Sequence, residues 1–178
     1  AGCPVLLKPA SATPLNAVLL AEAVHEAGLP KGVFQLLVGS ARQIGAEMMD
    51  NPACRKITFT GSTEVGRELI RQSADGVKKL SLELGGHAPM IIFDDADLEN
   101  AVEGALITKF RNGGQSCIAS NRIYVQRGIH DAFLESFVAR ASAMKVGDGL
   151  EHGVDIGPLI DATAVDTALA HIEAAMES

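Results

Sequence analysis

Short apolar runs alternate with longer, helix-periodic segments along the first half of the sequence. The apolar runs stop close to a Gly or Pro and predict four β-strands, the first of them buried, at residues 5–7, 33–38, 56–60 and 79–83. Apolar residues at helical spacing predict three intervening helices, at about residues 15–28, 42–49 and 64–73. Since strands that alternate with helices usually pair in parallel, this half predicts an α/β fold, with helices on both faces of a mostly parallel sheet.

The order of elements changes after Glu83, so we expect a boundary at residues 83–86. Beyond it the patterns predict strands at residues 89–93 and 122–125, helices at residues 98–110, 129–144 and 163–176, and a loop at residues 147–158. An acidic run that ends at Asp97 predicts the N-cap of the first of these helices. In the second helix, Phe133, Phe137 and Val138 are expected to share one apolar face.

The composition predicts a folded protein that binds neither nucleic acid nor membrane. Hydrophobic residues make up 47% of the 178 residues, and the net charge of −7 comes without a cluster of Lys or Arg. No apolar stretch approaches the roughly 20 residues that cross a bilayer. The first residues lack the basic region of a signal peptide.

Cysteine usage and the two ends of the sequence add three expectations. Three widely spaced cysteines argue against a disulfide framework and favour a reducing compartment, so we expect a cytoplasmic protein. No CxxC or HExxH motif occurs, which gives no reason to expect a metal site. The sequence opens almost directly in a strand and ends in a helix without a stop signal, so we expect a piece of a longer protein.

Cys117 is the candidate nucleophile because it ends a polar, glycine-rich run at residues 110–117, Phe-Arg-Asn-Gly-Gly-Gln-Ser-Cys. Glu83 likewise stands beside a glycine pair and is the candidate general base. A lone cysteine is more often a small buried hydrophobe, and this is the interpretation of Cys3 and Cys54.

Two strand ends carry signals of a nucleotide site. Residues 59–66 read as a strand, a glycine turn and a helix start, which lets backbone N–H groups face an anion, although a plain turn capped by Ser62 explains the window equally well. Lys8 ends the first strand at the edge where open α/β sheets bind ligands, and an ordinary solvated lysine is the alternative. Together the two signals predict a nucleotide cleft.

These motifs, in this order, resemble the aldehyde dehydrogenase superfamily, and within it the NAD(P)-dependent succinate-semialdehyde dehydrogenases most. The matching runs are residues 7–11, 59–66, 82–86, 109–117, 121–122 and 157–160. The resemblance implies that residues 1–83 form the C-terminal part of an NAD(P)-binding domain with a Rossmann-like sheet. Residues 84–178 would then form the N-terminal part of an α/β catalytic domain that bears the thiol.

The resemblance also implies roles for particular residues. Cys117 falls on the catalytic nucleophile and Glu83 on the general base. The cofactor-binding positions are Lys8, Pro9, Ala10, Ser11, Gly61, Ser62, Val65 and Leu84. Many NAD-specific members carry Glu where this sequence has Ser11, and a serine there removes the repulsion of a 2′-phosphate and leaves Lys8 free to pair with it. NADP is therefore favoured over NAD.

Arg111 falls where semialdehyde-type members bind the distal carboxylate of the substrate, and an ordinary surface arginine at a helix C-terminus is the alternative. The implied reaction is oxidation of a small aldehyde, succinate semialdehyde first, to the acid through a thioester on Cys117. Alternatives are a glutarate-semialdehyde or broader aliphatic aldehyde dehydrogenase, a non-catalytic nucleotide-binding relative, and a cysteine hydrolase that uses a histidine.

The family's second oxyanion donor and the Glu that holds the nicotinamide ribose fall outside this segment. The 178-residue chain alone is therefore expected to be inactive. Its full-length parent is expected to be a homodimer or homotetramer. His87 is expected to be a loop histidine without a chemical role.

Overall fold

The computed structural model describes residues 2–177 and divides the chain into two compact units. The first unit ends at Leu84 and the second begins at Gly85. The end residues of the two predicted domains, Ala1 and Ser178, lie outside the described residues. The cofactor-binding and catalytic roles assigned to the two parts of the chain stay predictions.

The first unit holds two parallel strand pairs, and one helix crosses over between the strands of each pair. Its strands are β1 (Val5–Leu7), β2 (Phe34–Leu36), β3 (Lys56–Thr60) and β4 (Lys79–Glu83), and its helices are α1 (Leu15–Glu26), α2 (Ala41–Asp50) and α3 (Thr63–Gly76). β1 pairs with β2 and β3 pairs with β4, both in parallel. The predicted α/β class and parallel pairing are confirmed, although the pairs form separate sheets because no described strand hydrogen-bonds to both.

Strand β1 is more open than the sequence predicted. Its residues Val5 and Leu6 are 50% and 44% exposed, so the expectation of a buried strand is wrong for the described residues. A sheet of two strands leaves most of each face uncovered, and α1 makes its contacts with β2. The apolar pattern therefore predicted the strand but not its burial.

A lysine ties together the loops of the second strand pair. Met49, at the end of α2, is buried. The carbonyls of Asn51 and Cys54, which follow α2 in the chain, accept hydrogen bonds from Lys78 Nζ at 2.7 Å and 2.6 Å. Because a helix leaves its last carbonyls unsatisfied, this ammonium group completes the C-terminal end of α2 and fixes the approach to β3.

The second unit holds one more parallel strand pair, with a helix between its strands. The strands are β5 (Pro89–Ile92) and β6 (Arg122–Val125), and the helices are α4 (Leu98–Phe110), α5 (Arg127–Ser142) and α6 (Ala162–Met176). The predicted bounds of α4 and β6 are confirmed, and the predicted loop after α5 makes one bridge between Val146 and Ile156. Within residues 2–177, no helix combines the length and the apolar character that a membrane crossing requires.

Helix α4 is the centre of the second unit. Its residues Val102 and Ala105 are fully buried, and they pack in one cluster with Ile92 of β5 and Phe133 of α5. The helix starts where the sequence predicted, because the carboxylate of Asp97 accepts a hydrogen bond from the Asn100 N–H at 2.8 Å. The core therefore sits between a two-stranded sheet and a helix pair.

The end of α4 is held by a row of aromatic rings. Phe110, its last residue, stacks on Phe137 of α5 with centroids 6.1 Å apart, and Phe137 stacks on Phe133 at 5.6 Å. Val138 does not join this face, since it is 51% exposed. At about 100° per residue it lies about 140° around the helix from Phe133, so the prediction that it shares their face is wrong.

Candidate active site

Cys117 lies in the thiol loop, which is defined here as residues 111–121 between α4 and β6. The loop starts with a left-handed turn, in which Asn112, Gly113 and Gly114 have φ of 55°, 64° and 76°. A Cβ on Gly114 would lie 3.0 Å from the Lys109 carbonyl oxygen, so the close approach to α4 and the positive φ both require glycine. The turn reverses the chain directly at the end of the core helix.

Polar side chains of the thiol loop bond to its own backbone. The Asn112 side-chain amide donates to the Gln115 carbonyl at 3.2 Å, and the Gln115 side-chain amide donates to the Asn112 carbonyl at 3.0 Å. Ser116 accepts hydrogen bonds from the Ile118 N–H through its hydroxyl (3.4 Å) and from the Ala119 N–H through its carbonyl (3.1 Å). Cys117 lies within this second turn and is exposed.

The far end of the thiol loop contains two buried residues and is hydrogen-bonded to other segments. Ala119 and Ser120 are 1% and 6% exposed. The next residue, Asn121, donates its backbone N–H to the His87 carbonyl at 3.0 Å. Its side-chain amide donates to the Gly86 carbonyl at 3.4 Å, and its side-chain oxygen accepts from Lys109 Nζ at 2.8 Å.

Arg111 is exposed and occupies the C-cap position of α4, six residues before the thiol in the same loop. The partial negative charge at a helix C-terminus favours a cation there. The guanidinium group is planar and presents several donors, which suits bidentate binding of a carboxylate. The structure thus brings the predicted nucleophile and the predicted carboxylate-binding residue onto one loop.

Glu83 belongs to the first unit, where it is the last residue of β4 and is exposed. Its backbone carbonyl accepts a hydrogen bond from the Gly61 N–H at 3.1 Å, which ties the glycine turn after β3 to the end of β4. The next residue, Leu84, packs on α3, because a Cβ on Gly66 would lie 2.7 Å from the Leu84 methyl carbons. Gly61, after β3, and Leu84, after β4, therefore lie together at the C-terminal end of this strand pair.

The turn from β3 into α3 is a capped helix start, as one of the two interpretations of the sequence had it. The Ser62 hydroxyl accepts from the Val65 N–H at 3.3 Å, and Val65 is 47% exposed. The backbone N–H of Glu64 itself, the Ser62 hydroxyl and the Arg67 guanidinium keep the pKa of the Glu64 carboxyl below its usual value. An anion bound at this helix start has to share these donors with the Glu64 carboxylate.

The predicted residues after β1 line one side of an open cleft in the first unit. The cleft has a volume of about 240 Å³ and lies where β1 and β2 end; its lining is Lys8, Pro9, Ala10, Ser11, Pro14, Val38 and Gly39. Lys8 Nζ donates to the Ser11 hydroxyl at 3.0 Å and to the Pro9 carbonyl at 2.7 Å. The carboxyl ends of parallel strands are the usual ligand-binding edge of an α/β sheet.

Sequence reasoning missed several residues of these two regions. Val38 and Gly39 line the cleft, and the strand run that ends at Gly39 is the signal that could have placed them beside Lys8. Gln115 and Asn121 link the thiol loop to other segments, and no local pattern distinguishes such amides from solvated ones.

The interpretation of Cys3 and Cys54 as buried hydrophobes is wrong, since Cys3 is exposed and Cys54 is half-buried.

Comparisons with known proteins agree on one family. The model of the aldehyde dehydrogenase family matches residues 1–178. The chain is 56% identical over 172 residues to a glutarate-semialdehyde dehydrogenase of Pseudomonas aeruginosa. The matched region covers 97% of the chain and 36% of the relative. It is 55% identical over 177 residues to a succinate-semialdehyde dehydrogenase [NADP(+)] of Escherichia coli. This match covers 99% of the chain and 37% of the relative.

Solved structures show the same similarity. A crystal structure of an NADP-dependent enzyme from E. coli superposes with a TM-score of 0.96 at 55% identity, over 99% of this chain and 37% of that one. The chain thus spans little more than a third of the length of the relatives that it matches.

Gly66 of α3 and Gly45 of α2 provide a test of the Leu84 contact. Gly66→Ala is expected to lower the free energy of unfolding by about 1–3 kcal/mol, because its methyl group has to displace the Leu84 side chain. Gly45→Ala in α2 is the matched control, since no atom beyond its chain neighbours and the backbone of its own helix lies within 4 Å of its Cβ position. It is expected to raise the free energy of unfolding by about 0.5–1 kcal/mol. Urea denaturation measures both changes, and equal effects of the two substitutions would contradict the contact.

Proposed function

The chain belongs to the aldehyde dehydrogenase family, and we propose that the complete polypeptide that carries it oxidises an ω-carboxylated aldehyde to the acid with NADP or NAD. Succinate semialdehyde is the first candidate substrate. The observation that carries the proposal is an exposed thiol on a glycine-rich loop that also presents an exposed arginine, Arg111. The names of both relatives, which specify semialdehydes with a distal carboxylate, support it.

The cofactor proposal rests on the first unit. The cleft of about 240 Å³ beside Lys8 and Ser11 is smaller than the roughly 300–1,000 Å³ of whole ligand sites, so it suits one nucleoside part of a dinucleotide. Lys8 supplies a cation and Ser11 leaves it without a competing carboxylate, which favours a 2′-phosphate and hence NADP. Gly61, Ser62, Val65 and Leu84 are proposed for the pyrophosphate and nicotinamide side. The bound cofactor would supply the hydride acceptor.

The proposed chemistry starts at the Cys117 sulfur. The thiolate attacks the aldehyde carbon, a C–S bond forms, and the carbonyl oxygen becomes an oxyanion for which the Cys117 backbone N–H is the proposed donor. Loss of hydride from the same carbon then leaves a thioester on Cys117. Glu83 is the proposed general base, which takes a proton from water as the water oxygen attacks the thioester. The C–S bond breaks, the acid leaves and the thiolate is restored.

Substitutions of the two proposed catalytic residues test this scheme. Cys117→Ser is expected to abolish the reduction of NADP by aldehyde, because a serine hydroxyl is a much weaker nucleophile than a cysteine thiolate. Glu83→Gln is expected to retain the first turnover and to slow thioester hydrolysis by about 10²–10⁴-fold. Stopped-flow absorbance measures the burst and the steady state.

Cys54→Ser is the matched control for these measurements, because Cys54 is half-buried in the first unit and has no proposed catalytic role. This substitution is expected to leave turnover unchanged. Turnover of Cys117→Ser at the wild-type rate would refute the function. A complete polypeptide with an intact fold and no burst would favour the alternative of a non-catalytic nucleotide-binding relative.

Arg111 decides between a carboxylated substrate and the broader aliphatic alternative. Arg111→Met is expected to lower kcat/KM for succinate semialdehyde by about 10–100-fold, because a charged hydrogen-bond pair is lost, and to change kcat/KM for a neutral aldehyde of the same length little. Arg127→Met, an exposed arginine at the start of α5, is the control. An unchanged preference between the two aldehydes would overturn the carboxylate role, and a comparison of succinate with glutarate semialdehyde decides the substrate length.

The proposed NADP preference has its own test at Ser11. Ser11→Glu is expected to lower kcat/KM for NADP by about 10–100-fold and to spare NAD, because the new carboxylate repels a 2′-phosphate and pairs with Lys8. Thr13→Glu adds the same charge to the same exposed loop and serves as the control. A preference for NAD in the unaltered enzyme would refute the proposed NADP preference but would leave the proposed reaction unaffected.

The cytoplasmic location and the homodimeric or homotetrameric state stay predictions.

A further inference from the structure

We propose that Gln115 and Asn121 are positioning residues that clamp the two ends of the segment bearing Cys117. Gln115 lies two residues before the thiol and Asn121 lies four residues after it. Each side-chain amide uses both its donor and its acceptor, and each bonds to a segment distant in sequence. The inference rests on the proposed role of Cys117 as the nucleophile.

The first clamp joins the thiol loop to the segment before α6. The side-chain oxygen of Gln115 accepts from the Ile160 N–H at 2.8 Å, across 45 residues of sequence, while its amide nitrogen donates to the Asn112 carbonyl at 3.0 Å. A Cβ on Gly113 would lie 3.3 Å from that amide nitrogen and 3.4 Å from Leu159, so the amide and Leu159 close over the left-handed turn. One side chain thus fixes the turn and braces it.

The second clamp joins the end of the thiol loop to the first residues of the second unit. The side chain of Asn121 contacts Lys109 Nζ at 2.8 Å and the Gly86 carbonyl at 3.4 Å, while its backbone N–H meets the His87 carbonyl. Lys109 is half-buried and belongs to α4, which supplies three buried residues to the core. The Gly86 backbone also approaches the thiol residue itself, because its Cβ position lies 3.7 Å from the Cys117 carbonyl oxygen.

The need for such clamps follows from the two glycines at the start of the thiol loop. Gly113 and Gly114 have the largest conformational freedom of any residue type, so an unbraced loop would hold the thiol in many directions. A nucleophile reacts efficiently only when its atom stays about 3–3.5 Å from the carbon and correctly oriented, and a displacement of about 1 Å costs on the order of 100-fold in rate. The two amides restrict the loop without contacting the reacting atoms, which is why they act by positioning.

The test uses the complete enzyme with Gln115→Met and Asn121→Leu, which keep the side-chain size and remove the hydrogen bonds. Gln126→Met is the matched control, because the Gln126 side chain also accepts a hydrogen bond from a distant backbone N–H of the second unit, that of Asp94, at 3.0 Å. Three quantities are measured for each: the rate of the NADPH burst, the rate of Cys117 alkylation by iodoacetamide, and the Tm.

Loss of either clamp is expected to slow the burst by about 10–100-fold, while iodoacetamide, a small reagent that needs no fixed approach, alkylates Cys117 as fast as before or faster. The KM for NADP and the Tm should stay close to those of Gln126→Met. A wild-type burst rate in both variants overturns the proposal. A parallel fall of burst, alkylation and Tm also overturns it, because this pattern indicates a structural role only.

Conservative variants decide the matter if the first pair does not fold. Gln115→Glu keeps the acceptor for the Ile160 N–H, and Asn121→Asp keeps the acceptor for Lys109, so each is expected to fold. Each is also expected to show a slower burst than the wild type, because the bond that its side-chain amide donates is lost. Wild-type burst rates in both would again contradict the clamp. Turnover by Cys117→Ser would instead refute the proposed function, so the two failures are distinguishable.

Discussion

The packing of α4 in one apolar cluster with β5 and α5 is the constraint on which the thiol loop depends. Val102 and Ala105 have no exposed surface, and a helix buried to that extent cannot rotate or slide without opening a cavity. Phe110 stacks on Phe137 at the last turn, so the position and direction of the helix end are fixed as well. Residues 111–117 follow directly from the C-terminal end of α4. The apolar core that fixes α4 therefore also determines where the polar loop begins.

The sequence predicted the elements well because local signals are strong in them. β3, β4, α4 and β6 have the predicted bounds, because the three strands are short runs with apolar residues at alternate positions and an acidic cap starts α4. The first unit shows what such signals omit. Val5 and Leu6 carry a strand pattern that says nothing about what covers the strand, and burial is decided by partners at a distance in sequence.

The candidate site was predictable where chemistry and spacing coincide, and unpredictable where a side chain works through a distant backbone atom. Cys117 and Glu83 stand out because a reactive group beside two glycines is unusual in itself. Gln115 does not, because the significance of its amide comes from Ile160, which lies 45 residues further on. Asn121 shares this property, since its partners are Gly86 and Lys109. Contacts of this kind exist only once the chain has folded.

The division of tasks within the thiol loop is itself an argument for chemistry at Cys117. The side chains of Asn112, Gln115, Ser116 and Asn121 all make hydrogen bonds that shape or anchor the loop. The thiol takes part in none of the bonds that hold residues 111–121 together, and it is exposed. A cysteine kept for packing would be buried among apolar groups, as is usual for this residue type. A loop in which these four polar side chains maintain the structure, while the sulfur takes no part in it, fits a residue that meets a substrate.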